Sequence, residues 1–265
     1  MRTADLLTQL LKPLSLSPQC QVRALRAGQV NQVFLLVDGQ QRWVVKSLSQ
    51  DTFSGVDRQQ QFVLQQRLSE LGVAPEPIWM DAAQTLWVEA FVEHNLTSPA
   101  DEHQQIEQMA RALAMIHTLP VDHPPLNLAL RLTHYAKKAG LETGSHLLRQ
   151  CTTLLPHCRQ QEIAPEHLAL CHNDLSYGHV MSVSPVMLVD WEYAAVGSCF
   201  FDLAACAGIN HLSGSARQRL IHCYAEASGR NTAQCQQQFD IQYEVVNLTA
   251  QLWQAALDAS QICHN

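Results

Sequence analysis

Two short apolar segments, each followed within three residues by an acidic residue, constrain this sequence more than any other feature. Leu168–Cys171 is followed by His172-Asn-Asp174, and Val186–Val189 is followed by Asp190. Short apolar runs bounded by polar residues are typical of buried β-strands. We therefore expect two neighbouring strands, separated by a tight loop, whose ends bring the carboxylates of Asp174 and Asp190 close together.

A pair of carboxylates at strand ends suits phosphoryl transfer from ATP. One carboxylate can orient the attacking hydroxyl and accept its proton, while the other holds the magnesium ion that bridges the phosphates. A single acid at a strand end is more often a turn residue or a helix cap. Here the two acids are followed by Phe201-Asp202-Leu203-Ala204, and the whole set is far more specific than an isolated His-x-Asp motif.

The segment from His172 to Ala204 resembles a known family signature. It contains HNDLSYGH and LVDWEYAAVGSCFFDLA, which are similar to the H-x-D-x-x-x-x-N, D-W-E-Y-A and x-D-L-A motifs of the choline/ethanolamine kinase and thiamine kinase group, within the aminoglycoside phosphotransferase superfamily. The resemblance implies an ATP-dependent kinase in which Asp174, with His172, forms the catalytic motif. It also implies that Asp190 binds metal and that Asp202 braces the catalytic loop. The alternative for Asp202 is an acid that stabilises a helix N-terminus.

The same resemblance implies an α+β, two-lobed protein-kinase-like fold, with a small antiparallel-sheet N-terminal lobe and a mainly helical C-terminal lobe. The element order agrees with it. Four predicted strands and one helix occupy residues 33–37, 42–46, 57–71, 78–80 and 86–91. Asp38-Gly39 is a two-residue hairpin signal, and helical patterns predominate later in the chain. We expect a nucleotide-binding lobe at 1–92, a hinge at 93–97 and a catalytic and substrate lobe at 98–265.

The resemblance also assigns residues that would bind the nucleotide. Lys46 ends a predicted strand, and the matching lysine of the family contacts the ATP phosphates. The stretch from Gly28 to Asn31 resembles the loop that covers the phosphates. Glu89 to Glu93 should form the hinge whose backbone receives the adenine. The implied cofactors are ATP and Mg²⁺.

Three positions depart from the family pattern. The loop at Gly28 has one glycine where two or more are common, and the helix acid that pairs with Lys46 should fall near the uncharged Gln61. His179 replaces the asparagine that helps to bind metal. Because Mg²⁺ prefers oxygen to imidazole nitrogen, His179 indicates a metal-sensitive site, with Mn²⁺ as the alternative ion. A catalytically reduced or inactive binding module is the alternative reading.

Aromatic and acidic residues near the motif suggest a cationic acceptor. The candidates for the substrate site are Trp191, Glu192, Tyr193 and Tyr177. Aromatic faces attract quaternary ammonium groups by cation–π interaction. We therefore expect a choline/ethanolamine-like or thiamine-like alcohol. An aminoglycoside, which calls for a more acidic and extended cleft, is the alternative.

Composition argues against several other classes of function. The formal net charge of −7 argues against binding to nucleic acid through a general basic surface. No apolar run reaches the ~20 residues of a membrane span, and the start of the chain predicts an amphipathic helix. The nine cysteines include no C-x-x-C pair, which predicts reduced thiols in a cytoplasmic protein. We expect ATP and a small alcohol as partners, with no nucleic acid and no membrane.

Overall fold

The computed structural model describes residues 3–27, 31–48, 54–96, 101–158 and 164–262. The chain divides into two compact units. The first comprises residues 1–50 and 57–94, and the second comprises residues 51–56 and 95–265. The hinge assigned to residues 93–97 stays a prediction.

The first unit contains an antiparallel sheet and two helices. Its strands are β1 (Gln21–Ala27), β2 (Gln32–Asp38), β3 (Gln41–Ser47), β4 (Pro77–Met80) and β5 (Leu86–Ala90). Its helices are α1 (Thr3–Leu11) and α2 (Arg58–Glu70). The sheet has five strands in the order β1-β2-β3-β5-β4. The prediction of four strands was therefore wrong by one, because β1 was missed.

The amphipathic helix predicted at the start of the chain packs in the core of this unit. Leu6 and Leu10 of α1 are fully buried and join a cluster with Phe34 and Leu36 of β2. Phe34 and Leu36 are two residues apart, so both face the same side of the sheet. The Asp38-Gly39 turn is confirmed, since Asp38 pairs with Gln41 across a two-residue connection. The N-terminal segment thus covers one face of the sheet.

The second unit is mainly helical. Its helices are α3 (Glu102–Ile116), α4 (Leu128–Lys138), α5 (His146–Leu154), α6 (Cys199–Ile209), α7 (Gly214–Ser228) and α8 (Thr232–Ile262). Its strands are β6 (Leu168–Cys171), β7 (Val180–Val183), β8 (Val186–Leu188) and β9 (Ala195–Ser198). The apolar face predicted for α3 is buried, from Ile106 to Ile116. The predicted α+β fold, with a sheet-based first part and a helical second part, is confirmed.

The strands that precede the two key acids are not neighbours. β6 pairs with β9, while β8 pairs with β7, and each pair forms a separate two-stranded antiparallel sheet. The expectation that Asp174 and Asp190 follow neighbouring strands was therefore wrong as regards strand pairing, although their carboxylates do lie close together. Local patterns do not reveal strand partners, and the short strands β7 and β9 were not predicted.

The eight cysteines within the described ranges are free thiols, and all but Cys223 are buried. Burial raises the pKa of Cys158 to about 12. A buried thiol with a raised pKa is a poor nucleophile and behaves as a small apolar side chain. Over the same ranges, no helix has both the length and the apolar character that crossing a membrane requires.

Candidate active site

The loop after β6 is held by a buried carboxylate. Asp202, in the first turn of α6, is fully buried. Its Oδ2 accepts the backbone N–H of His172 and its Oδ1 accepts that of Asn173, both at 2.7 Å. The Nε2 atom of His117 lies 3.1 Å from Oδ2. These contacts fix the backbone immediately before Asp174, and the bracing role assigned to Asp202 stays a prediction.

The backbone of this loop takes a conformation that few residues adopt. Asn173 has φ +62° and Asp190 has φ +69°. Asparagine and aspartate tolerate this left-handed region better than other non-glycine residues. The Asn173 side chain also donates to the carbonyl oxygen of Tyr193 at 3.0 Å. Both segments that carry the key acids are therefore locally constrained.

Three side chains converge on a site that could hold a metal ion. One ligand atom from each of Asp174, His179 and Asp190 lies within 4.8 Å of the others. The Nε2 atom of His179 is 3.6 Å from Oδ2 of Asp190. Burial, followed by the charges of Asp190 and Glu192, raises the pKa of Asp174 well above its usual range. A divalent cation would relieve this crowding of negative charge, so the donor set fits one.

His179 is oriented by the loop beside it. Its Nδ1 atom lies 2.8 Å from the carbonyl oxygen of Asp174, and the backbone N–H of Ser176 approaches the same atom at 3.3 Å. When Nδ1 carries the proton and donates to Asp174, the lone pair of Nε2 faces Asp190. Histidines that bind metals usually donate their other ring N–H to a carbonyl or carboxylate in this way.

The residues expected to line the substrate site lie in different environments. Trp191 is 1% exposed, and its Nε1 donates to the Leu188 carbonyl oxygen at 3.0 Å. Its ring packs against His172, with the ring centroids 4.8 Å apart. Trp191 is therefore a core residue that supports the loop, and its assignment to the substrate site was wrong. Tyr177 is half-buried, and its backbone N–H donates to Asn210 Oδ1 at 2.9 Å.

Tyr193 and Glu192 remain partly exposed, in a more polar setting. Trp253 Nε1 approaches the Tyr193 hydroxyl at 3.3 Å. Burial, the charge of Glu192 and the nearby Tyr135 hydroxyl raise the pKa of Tyr193. Tyr135 was not predicted as a site residue, because in the sequence it reads only as part of the apolar face of α4. These four residues form an aromatic and acidic group within the second unit.

Lys46 and Glu89 lie together in the first unit. The Nζ atom of Lys46 is 3.3 Å from Oε1 of Glu89. Glu89 stands opposite Val44 of β3 and Pro77 of β4, so it lies within the sheet. The hinge role assigned to Glu89 to Glu93 stays a prediction.

The loop predicted to cover the phosphates is described only in part. Gly28 falls outside the described residues. Asn31 lies directly before β2, and its role at the nucleotide stays a prediction.

Comparisons with known proteins found a family model and relatives to which this chain is similar. A sequence model described as the phosphotransferase enzyme family matches residues 21–237. A protein LicA homolog from Mycoplasma capricolum subsp. capricolum is 22% identical over 161 residues, covering 60% of this chain and 65% of the relative. The match thus spans less than two thirds of that relative's length.

Solved structures share the fold at low sequence identity. The choline kinase LicA from Streptococcus pneumoniae has a TM-score of 0.76 and 16% identity, covering 97% of this chain and 91% of that chain. A structure of LicA in complex with AMP has a TM-score of 0.73 and 17% identity, covering 96% of this chain and 90% of that chain.

Proposed function

Because the chain belongs to the phosphotransferase enzyme family, a family of kinase-like enzymes, we propose that it transfers the γ-phosphate of ATP to the hydroxyl of a small cationic alcohol. A choline/ethanolamine-like acceptor is the first candidate and a thiamine-like acceptor the second. The observation that carries this proposal is the convergence of Asp174, His179 and Asp190 beside a loop that Asp202 holds through two backbone hydrogen bonds.

Asp174 acts in this proposal as the general base. It accepts the proton of the alcohol hydroxyl as the oxygen attacks the γ-phosphorus. General bases work best when their pKa lies near the operating pH, and burial with the neighbouring carboxylates shifts the pKa of Asp174 upward in that direction. His172 and Asn173 position Asp174 through their backbone contacts with Asp202.

Asp190 and His179 would hold the divalent cation. Bound there, Mg²⁺ or Mn²⁺ neutralises charge on the transferring phosphate. Lys46 would contact the ATP phosphates, and the LicA complex with AMP supports nucleotide binding by this fold. The protein groups therefore divide into a base, a metal-binding pair and a phosphate-binding cation.

A cationic acceptor is supported by the group around Tyr193. Glu192 contributes negative charge, and the rings of Tyr193 and Trp253 offer faces that attract an ammonium group. The hydroxyl of Tyr193 is already engaged by Trp253 Nε1, so its ring orientation is defined. An ammonium group bound there would leave the alcohol end free to reach Asp174.

The experiment that tests the proposal is a screen of ATP consumption. Purified protein is assayed with choline, ethanolamine, thiamine and an aminoglycoside, and the Asp174→Asn variant serves as the blank. We expect consumption above the blank with choline or ethanolamine. Consumption only with the aminoglycoside would contradict the cationic-alcohol assignment. No consumption above the blank with any acceptor would favour a non-catalytic binding module.

His179 is expected to make activity depend on the identity of the metal. In His179→Asn, an amide oxygen replaces the imidazole, so Mg²⁺-supported activity should rise relative to Mn²⁺-supported activity. The change in the activity ratio should be on the order of tenfold, the scale on which changes around a metal alter its affinity. Steady-state rates with each metal, at saturating ATP, measure this ratio.

A second variant distinguishes the effect of the ligand atom from the effect of side-chain length. In His179→Gln the side-chain oxygen extends about as far as Nε2 does, whereas asparagine reaches only about as far as Nδ1. If activity falls with both metals in both variants, imidazole has a positive role of its own and the ligand argument fails.

A further inference from the structure

The first unit contains a buried carboxylate surrounded by hydrogen-bond donors. Glu89 is 2% exposed. Its Oε2 accepts from Gln65 Nε2 at 2.8 Å and from Trp87 Nε1 at 2.9 Å. Its Oε1 faces the ammonium group of Lys46 at 3.3 Å. The donors come from α2, β5 and β3, so three elements meet at one side chain.

This arrangement requires an anion at position 89. Lysine ammonium and indole N–H can only donate hydrogen bonds, and the Gln65 amide also donates here. A carboxylate accepts hydrogen bonds from all three groups, whereas the amide of a glutamine in the same place would point its own N–H at one of these donors. A buried charge is costly unless it is paired and hydrogen-bonded, and Glu89 meets both conditions.

The ammonium group of Lys46 contacts Glu89 on one side, and the Lys46 side chain remains partly accessible to solvent. Its side chain is 12% exposed. An ammonium group has three N–H donors, and Glu89 contacts one side of it. The register of β3 against β5 sets the pair, because Lys46 stands opposite Trp87 and Val44 stands opposite Glu89. The register therefore places the side chains of Lys46 and Glu89 on the same face of the sheet.

We propose that Glu89 is the positioning residue for Lys46 and takes the role that an acid on the helix would have filled near Gln61. The acid is supplied by strand β5, and helix α2 contributes the amide of Gln65. The same amide donates to the Pro75 carbonyl oxygen at 3.0 Å, which ties α2 to the sheet. This inference rests on the proposed function, because it assigns Lys46 to the ATP phosphates.

The placement has a regulatory consequence. In protein kinases, movement of the helix that carries the acid makes and breaks the lysine pair. Here the lysine and its acid lie on adjacent strands of one sheet, so neither member of the charged pair is carried by α2. Lys46 is held ready for phosphate without a helix movement.

The test compares a ligand with phosphates to one without them. Dissociation constants for Mg-ATP and for adenosine are measured by calorimetry in wild type and in Glu89→Gln. We expect the constant for Mg-ATP to rise by roughly tenfold or more, the scale for breaking a buried pair, while that for adenosine stays unchanged. Glu70→Gln, the same substitution at an exposed acid on α2, should change neither constant.

A double-mutant cycle then asks whether Glu89 acts through Lys46. In Lys46→Met, adding Glu89→Gln should cause little further loss of Mg-ATP affinity. Full additivity would overturn the proposal, and so would an equal loss of adenosine affinity. If Glu89→Gln does not fold, Glu89→Asp keeps the charge but withdraws it from Nζ, and it should weaken Mg-ATP binding selectively. Normal Mg-ATP binding by both variants, in an active wild-type kinase, would overturn the positioning role alone.

Discussion

Asp174→Asn is expected to lower the rate of phosphoryl transfer by about 10²–10⁴-fold, the contribution of a general base. The same variant should be more stable than the wild type when no divalent metal is present. Asp174 is crowded by Asp190 and Glu192, and together with burial their charges raise its pKa. A neutral amide removes that repulsion, so we expect the melting temperature to rise by roughly 2–4 °C, which corresponds to about 1 kcal/mol for a chain of this size.

Opposite changes in rate and stability distinguish a functional acid from a structural one. Turnover is measured with saturating Mg-ATP and acceptor, and melting is measured in a chelating buffer. Asp258→Asn, at an exposed position where the carboxylate accepts only a local bond from Gln254, is the matched control and should change neither quantity. Near wild-type turnover in Asp174→Asn would show that the base has been assigned to the wrong residue.

Replacing Asp190 should remove the dependence of nucleotide binding on metal. In Asp190→Asn and Asp190→Gly we expect Mg²⁺ to lose its effect on ATP affinity and turnover to fall on the order of 10²–10³-fold, because a bound metal contributes several kcal/mol. Calorimetric titrations of ATP with and without Mg²⁺ measure the dependence. An unchanged difference between the two titrations would rule out a metal role for Asp190.

The backbone at Asp190 determines which variants are informative. With φ +69°, alanine would add a left-handed strain of roughly 1–2 kcal/mol, whereas asparagine and glycine adopt this region more easily. A loss of turnover or of metal-dependent ATP binding in Asp190→Ala alone would therefore indicate backbone strain. The same loss in all three variants would show that the carboxylate itself is needed.

Hydrophobic patterning predicted most of the fold but missed three strands. The strands β2 to β5 and the long helices carry clear periodic or apolar runs. β1 reads Gln-Val-Arg-Ala-Leu-Arg-Ala, and as an edge strand it needs little apolar content. β7 and β9 read Val-Met-Ser-Val and Ala-Val-Gly-Ser, and neither has the uninterrupted apolar run that indicated β6 and β8. The pairing partners of the strands could not be predicted either. Hydrophobic alternation indicates which face of a strand is buried, but not which strand lies beside that strand.

The candidate site shows the same limit. The strand-end acids could be predicted because each follows an apolar run within three residues. His117 was not, although it contacts Asp202 from 85 positions away, since nothing local connects the two. Gln65 and Glu89 are 24 positions apart, and only the folded sheet brings them together. Trp191 was predicted as a pocket residue because it is an aromatic residue directly after Asp190, yet it is buried.

The left-handed backbone at Asp190 also limits how this protein can diverge. Of the amino acids one nucleotide change away from aspartate, asparagine and glycine suit that backbone best, and neither preserves the charge. A descendant that lost catalysis while keeping its fold would therefore most easily carry one of these two residues at position 190. A saturation library selected only for folded protein should accordingly be enriched in aspartate, asparagine and glycine at that codon, whereas selection for catalysis should retain aspartate alone.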